Sequence, residues 1–353
     1  MYSEGAHYWP VFESVIEALS HKKIEVTYYS SDKNDPGVGL QLPHYRSEYI
    51  GNVNTASYRL NRLHADMVVM TTPQLDVFQL RRSKHVKHYM HILHSPVDLL
   101  AYNRYAFDSF DSILCGGKHH IKSMRALEKI RNLSPKKLYQ TGITYFDNIK
   151  PKKQTTKPNT RTRILIAPTW GENGLFTLYG SEFLSQFIDT EYIVTVRPHP
   201  QMRISQKKLY QDISNICEEY AHISLDDNYS AHDSLDTADI LISDVSGIIF
   251  DCAFVYQKPI ICIESNINQS GREAEDVSLP IWEVEALKQV STYISKKEAR
   301  QVPEILSKLL NQKDRFTKKT TQMIQLRKEF CYNFDSAGVQ AAKDIESILI
   351  TLS

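Results

Sequence analysis

The sequence predicts an α/β protein of two doubly wound halves, each a parallel sheet with helices on both faces. Three observations carry this. Short, mostly β-branched apolar runs alternate with helical stretches along the chain, the grammar of parallel sheets. Two such series are separated by residues 150–160, which are polar, basic and Pro-containing. The 353 residues suffice for two domains of roughly 150–200 residues each. The expected division is residues 1–150, residues 160–330 and a terminal amphipathic helix over 331–353.

The elements follow in order. Pro10 suits a first helical position, and Val11, Val15, Ile16 and Leu19 form an apolar stripe behind it. In a doubly wound domain a strand precedes such a helix. Here almost no residues remain for it, so a missing or truncated first strand is expected. Strands are expected at residues 24–29, 67–70, 88–94 and 112–115, with a helix over 118–133. In the second half, strands are expected at 163–167, 192–196 and 222–225, with a helix over 205–220. Helices over 302–310 and 316–330 follow. The last helix starts near Asp335 and carries Val339, Ala342, Ile345, Ile348 and Leu352 at helical spacing.

Composition narrows the class. Hydrophobic content of 42% and charged content of 24% are those of a globular protein, and a net charge of +1 provides no global field for nucleic acid. The five cysteines (Cys115, Cys217, Cys252, Cys262, Cys331) are scattered, with no C-x-x-C pair. This fits reduced thiols rather than disulfides or zinc. No metal-ligand cluster stands out. No run of about 18 apolar residues and no signal peptide is visible.

Residues 240–264 read as strand, tight turn, helix and strand. Asp244, Val245, Ser246 and Gly247 form the turn. Gly247 lacks a Cβ, and the helix start that follows presents unpaired N–H groups, which attract phosphate. Asp251, seven residues beyond Asp244, is placed to accept from ribose hydroxyls. This is a nucleotide diphosphate site or an ordinary βαβ unit with a Ser-Gly turn. Two further strand ends carry unusual residues. His94 stands at one, before Ser95 and Pro96. Arg197, Pro198, His199 and Pro200 stand at the other. A histidine at a buried strand end serves as a base, as a donor to phosphate, or as a hydrogen-bonded structural residue. Arg197 is a permanent cation shaped for phosphate oxygens.

Four motifs now stand in order: Thr141-Gly142 with Phe146-Asp147, Ala167-Pro168-Thr169-Trp170, Arg197-Pro198-His199-Pro200, and Ser243-Asp244 with Ser246-Gly247 and Phe250-Asp251. Together they resemble the successive signatures of the CDP-glycerol glycerophosphotransferases, the teichoic acid and capsule primases and polymerases. The resemblance runs from about residue 88 to the C-terminus. It implies a GT-B-like fold with two Rossmann-type domains facing a cleft and the C-terminal helix packing back. It also implies transfer of an alditol phosphate from CDP-glycerol or CDP-ribitol to a hydroxyl of a lipid-linked or polymeric glycan, with loss of CMP and no metal or other cofactor.

On this resemblance His94 is the expected general base toward the acceptor. His199 and Arg197 stabilise charge on the donor's diphosphate. Ser246 and Gly247 hold phosphate, Asp244 shares that turn, Asp251 takes the ribose, and Thr169 and Trp170 line the nucleotide. Gly142 and Asp147 are expected at the cleft or hinge. The chain departs from the family pattern in four places. Ser95 and Pro96 follow His94 where glycine is usual, and Gly171 stands where an arginine is usual. Gly247 replaces a second serine, and Val339 and Gln340 follow Gly338 without a basic residue.

The Asp244 turn also resembles that of UDP-GlcNAc 2-epimerases and nucleotide-sugar glycosyltransferases, so a sugar-nucleotide enzyme is the alternative. An inactive glycan-assembly scaffold is a third. The basic residues 81–88 and 118–137 are a surface for anionic lipid or solvated faces. The family places such a chain in the cytoplasm at the inner face of the plasma membrane, in peripheral contact with it.

Overall fold

The computed structural model describes residues 1–152, 161–228 and 230–352. Most of the expected linker, residues 153–160, lies outside them. The chain forms two compact units. The first comprises residues 1–150, 269–281 and 328–353, and the second comprises residues 151–268 and 282–327. The terminal helix, expected as a separate piece, therefore belongs to the first unit. So does the segment 269–281, which lies in sequence between two stretches of the second.

The first unit is a seven-stranded sheet of β1 (Tyr2–Ser3), β2 (Val26–Ser30), β3 (Tyr45–Tyr49), β4 (Ala65–Met70), β5 (Val86–Ile92), β6 (Ser112–Cys115) and β7 (Lys137–Gln140). All pairs are parallel, in the order β3-β2-β1-β4-β5-β6-β7. The first strand is present as two residues at the centre of the sheet. Tyr2 pairs with Tyr29 on one side and Met70 on the other. Val69 enters the core beneath α1 (Trp9–His21), while its neighbours Val68 and Met70 enter the core on the opposite face. That alternation is the period-2 geometry of a strand buried on both faces. The helices α2 (Val53–Leu60) and α3 (Lys118–Arg131) complete the cover.

The second unit is a six-stranded parallel sheet of β8 (Arg163–Ile166), β9 (Ile193–Val196), β10 (Ile223–Leu225), β11 (Ile240–Ser243), β12 (Ile260–Ile263) and β13 (Thr292–Ile294). The order is β10-β9-β8-β11-β12-β13. Its helices are α4 (Leu175–Tyr179), α5 (Pro200–Ser205), α6 (Lys207–Glu219), α7 (His232–Thr237), α8 (Ile248–Asp251), α9 (Trp282–Val290) and α10 (Val302–Leu310). Ile164, Ile166, Val194, Val196, Ile240 and Ile242 pack with Phe176, Phe183 and Phe187 into one core. Each such side chain stabilises the unit by roughly 1.5–3 kcal/mol through burial. The long helix α11 (Lys313–Phe330) runs from the second unit to the first, where α12 (Ala337–Leu352) follows.

In both sheets the order reverses beside the central strand, β1 or β8. Such switch points open crevices at the carboxyl ends of the strands, where ligands bind.

Candidate active site

At the carboxyl edge of the second sheet three loops meet. The loop after β8 carries Thr169 and Trp170. Asp244, at the end of β11, accepts from the Thr169 N–H through Oδ1 and from the Leu175 N–H through Oδ2, each at 2.7 Å. Its carboxyl is 1% exposed, and burial pushes its pKa up to about 6 against the pull of these N–H groups. Asp244 was expected in the phosphate turn. It lies in that turn and uses both carboxyl oxygens to hold the loop after β8 in place. Ser243 adds a hydroxyl bond to the Ala167 carbonyl at 2.7 Å.

His199 caps α5, its Nδ1 accepting from the Gln201 N–H at 3.2 Å. In the neutral ring this leaves the proton on Nε2, which is therefore a donor. Burial first, and then the neighbouring Arg197 charge, lower the pKa of the ring to about 4. It is neutral at physiological pH. The exposed Trp170 indole lies 6.0 Å from it, tilted by 34°. An aromatic platform thus stands beside an N–H donor.

Arg197 was expected on the donor's diphosphate. Its Nη1 pairs with Asp226 at 2.8 Å, and both residues are buried. Burial raises the Asp226 pKa, but bonds from the Ser234 hydroxyl, the Asn228 N–H and Arg197 outweigh it and hold the carboxyl below its ordinary value. The Arg197 charge also helps to lower the His199 pKa. Asp226 escaped the sequence reading because nothing in its neighbourhood marks a partner 29 residues away.

The turn after β11 closes with a bond from the Ser246 N–H to the Asp244 carbonyl at 2.8 Å, and Gly247 caps α8. Gly247 has φ −58°, ordinary helical backbone. A glycine is not required there by conformation; its contribution is the absence of a side chain. Asp251 ends α8, half-buried, one residue before a π-helical turn over Cys252–Tyr256.

In the first unit, β1, β4 and β5 end at the same carboxyl edge. His94 follows β5. Its Nδ1 lies 3.3 Å from the Tyr102 hydroxyl, and the rings of Tyr8 and Tyr102 approach it edge-on at 5.1 and 5.6 Å. Burial, and then His7, lower its pKa to about 4. The loop is buttressed from α3. His119 Nε2 bonds the Pro96 carbonyl at 2.9 Å, and His120 Nε2 bonds the Val97 carbonyl at 2.8 Å. His120 Nδ1 accepts from the Gly116 and Gly117 N–H groups. Sequence reasoning missed Tyr8, Tyr102, His119 and His120. The only available signal was the rule that loops after central strands carry ligands.

Gly142 and Asp147, expected at a cleft or hinge, anchor α12 within the first unit. Asp147 accepts from the Ala337 and Gly338 N–H groups at 3.0 and 2.7 Å, capping the helix. Burial raises its pKa, opposed by those N–H groups. Gly142 has φ +106°, and a Cβ there would lie 2.2 Å from the Tyr332 carbonyl oxygen.

Among the described residues no group of three or more His, Cys, Asp or Glu is placed to hold a metal. None of the described helices is long and apolar enough to cross a membrane.

Two such sheets, each with polar side chains gathered at its carboxyl edge, define a protein of GT-B type. The chain belongs to the CDP-glycerol:poly(glycerophosphate) glycerophosphotransferase family, whose model matches residues 50–336; it is a transferase of that kind. No curated protein matches the sequence. The fold is similar to that of the wall teichoic acid polymerase TagF, with a TM-score of 0.60 and 14% identity over 100% of this chain and 89% of that one. A TagF variant soaked with CDPG gives 0.58 and 13% over 99% and 88%. The UDP-GlcNAc 2-epimerase of Neisseria meningitidis bound to UDP-GlcNAc gives 0.61 and 10% over 99% and 98%. At such identities the likeness concerns the fold. The family match is what distinguishes transferase from epimerase.

Proposed function

We propose that the chain transfers an alditol phosphate, glycerol phosphate foremost, from a CDP-activated donor to a hydroxyl of a lipid-linked or polymeric glycan. The product would be a teichoic acid-like or capsule polymer, with CMP released. The acceptor oxygen forms a bond to the alditol-bearing phosphorus, and the bond from that phosphorus to the CMP oxygen breaks. His94 takes the acceptor proton. The Nε2–H of His199 donates to the diphosphate where charge develops, with Arg197 beside it. The N–H groups after Ser246 and Gly247 meet phosphate, Asp251 meets the ribose, and Thr169 and Trp170 flank the nucleotide. Work of this kind is done at the inner face of the plasma membrane, and no resident cofactor takes part.

The observation that most supports this reading is the meeting of the Thr169–Trp170 loop, the His199 donor and the Ser246–Gly247 turn at one sheet edge, in a chain of this family. The test offers CDP-glycerol, CDP-ribitol and UDP-GlcNAc to the purified protein, with thermal shift and CMP or UDP release as readouts. Stabilisation and CMP release with a CDP-alditol, lost in His94→Ala and His199→Ala, is the expected result. A response to UDP-GlcNAc alone overturns the reading.

A further inference from the structure

We propose that Tyr102 is the positioning residue of His94: its phenolic oxygen accepts from Nδ1–H and so leaves Nε2 as the basic atom. The proposal rests on the reading of His94 as the base toward the acceptor.

The geometry around the ring carries it. A histidine base needs one nitrogen fixed as N–H so that the other has a free lone pair, and a carboxylate commonly fixes it. Among the described residues no carboxylate bonds to His94. The group at its Nδ1 is the Tyr102 hydroxyl, 3.3 Å away. The titratable neighbours are His7 and Tyr8 from the loop and helix after β1, His91 from β5, and Tyr102 itself. Glu4 acts on Tyr8 rather than on His94. Two tyrosine edges therefore grip the ring, and one hydroxyl meets it. Burial raises the Tyr102 pKa far above neutrality, so the phenol stays protonated and can turn its oxygen lone pair to Nδ1–H.

Tyr102 is itself held tightly. It is 9% exposed. Its carbonyl accepts from the Glu273 N–H at 2.9 Å, and the Arg104 N–H bonds the Gly271 carbonyl at 3.0 Å. The Glu273 carboxylate accepts from the Ala106 N–H at 2.7 Å and pairs with Arg131, which also pairs with Asp108 and Asp276. On the other side Asp98 caps the turn that leads into Tyr102, accepting from the Leu100 N–H at 3.3 Å. The segment 269–281, which follows the second sheet's β12 in sequence but belongs to the first unit, thus clamps the loop that presents this hydroxyl. Behind this loop the half-buried Arg131 thus ties three carboxylates together.

The test uses Tyr102→Phe, which keeps the ring and removes the hydroxyl. In the turnover assay with the active CDP-alditol, kcat falls roughly tenfold because the base is no longer oriented, while the donor KM is unchanged. The acidic limb of the kcat/KM–pH profile moves down by about one pH unit, because the imidazolium loses an acceptor. A limb that stays in place, or moves up because the hydroxyl had been donating, overturns the proposal. A second readout is independent of turnover. In protein labelled with ¹⁵N-histidine, and with His94 assigned by its loss in His94→Gln, the wild-type ring shows protonated Nδ1 and unprotonated Nε2 at neutral pH. The Tyr102→Phe ring shifts toward the other tautomer. A wild-type His94 already protonated on Nε2 refutes the assignment even if the variant does not fold. If no CDP-alditol is turned over, the proposed function fails, and the spectrum still decides the tautomer.

Discussion

The pairing of His199 with the start of α5 separates its structural role from its chemical one. Its Nδ1 caps the helix, while its Nε2–H is the donor that the proposed function offers to phosphate. His199→Asn places an amide oxygen where Nδ1 sits, so the cap survives, but nothing replaces Nε2. His199→Ala removes both. The alanine variant is therefore expected to lose about 1 kcal/mol of stability, and the asparagine variant close to none. Both are expected to lose activity by about 10²–10³-fold, the usual effect of removing one preorganised donor.

Stability adds an independent check, because the pKa is depressed to about 4 from an ordinary 6.5. The folded ring is neutral, and the unfolded ring binds the proton more readily. Its contribution is complete above pH 6.5 and is lost as pH falls toward 4. Between pH 7 and pH 5 this amounts to about 2 kcal/mol. Urea unfolding followed by tryptophan fluorescence at the two pH values checks it, since Trp170 and Trp282 both lie in the second unit. The asparagine variant should show a pH dependence weaker by that amount. Turnover by His199→Asn within a few-fold of the wild type would refute the donor role. An unchanged pH dependence would refute the neutral, buried ring.

Two further outcomes follow from the same geometry. Gly142→Ala drives a Cβ against the Tyr332 carbonyl at a φ of +106°. It should destabilise the first unit by at least ~1–2 kcal/mol, read as a drop in its thermal transition. Asp226→Ala leaves Arg197 charged and buried without its carboxylate. The expected loss is about 3–5 kcal/mol in urea unfolding of the second unit. A loss under 1 kcal/mol would mean that the pair is solvated.

The central strands were legible because burial on both faces makes them continuous apolar runs, as in β8, β11 and β12, each flanked by helical periodicity. The edge strands β3, β7 and β13 were not, although the edge strand β10 was. β3 reads Tyr-Arg-Ser-Glu-Tyr, with most of its side chains in contact with solvent, so it lacks the apolar run that marks a core strand. β1 was expected to be missing or truncated; it is two residues long and can be recognised only through its pairing with Tyr29 and Met70.

Local apolar pattern and motif order are properties of the chain itself. From them the sequence determined the two parallel sheets, the family, and the positions of His94, Thr169, Trp170, His199 and Ser246 at strand ends. Tertiary structure alone decided what the polar groups do. It gave Asp244 to the loop after β8, Arg197 to Asp226, and Gly142 and Asp147 to the seat of α12. It also set Tyr102 against His94 and brought residues 269–281 into the first unit. The reason is physical. Burial against one's own sheet imposes a period that can be read locally, whereas a buried polar group must find its partner wherever the fold brings one, and that partner leaves no mark in the neighbouring sequence.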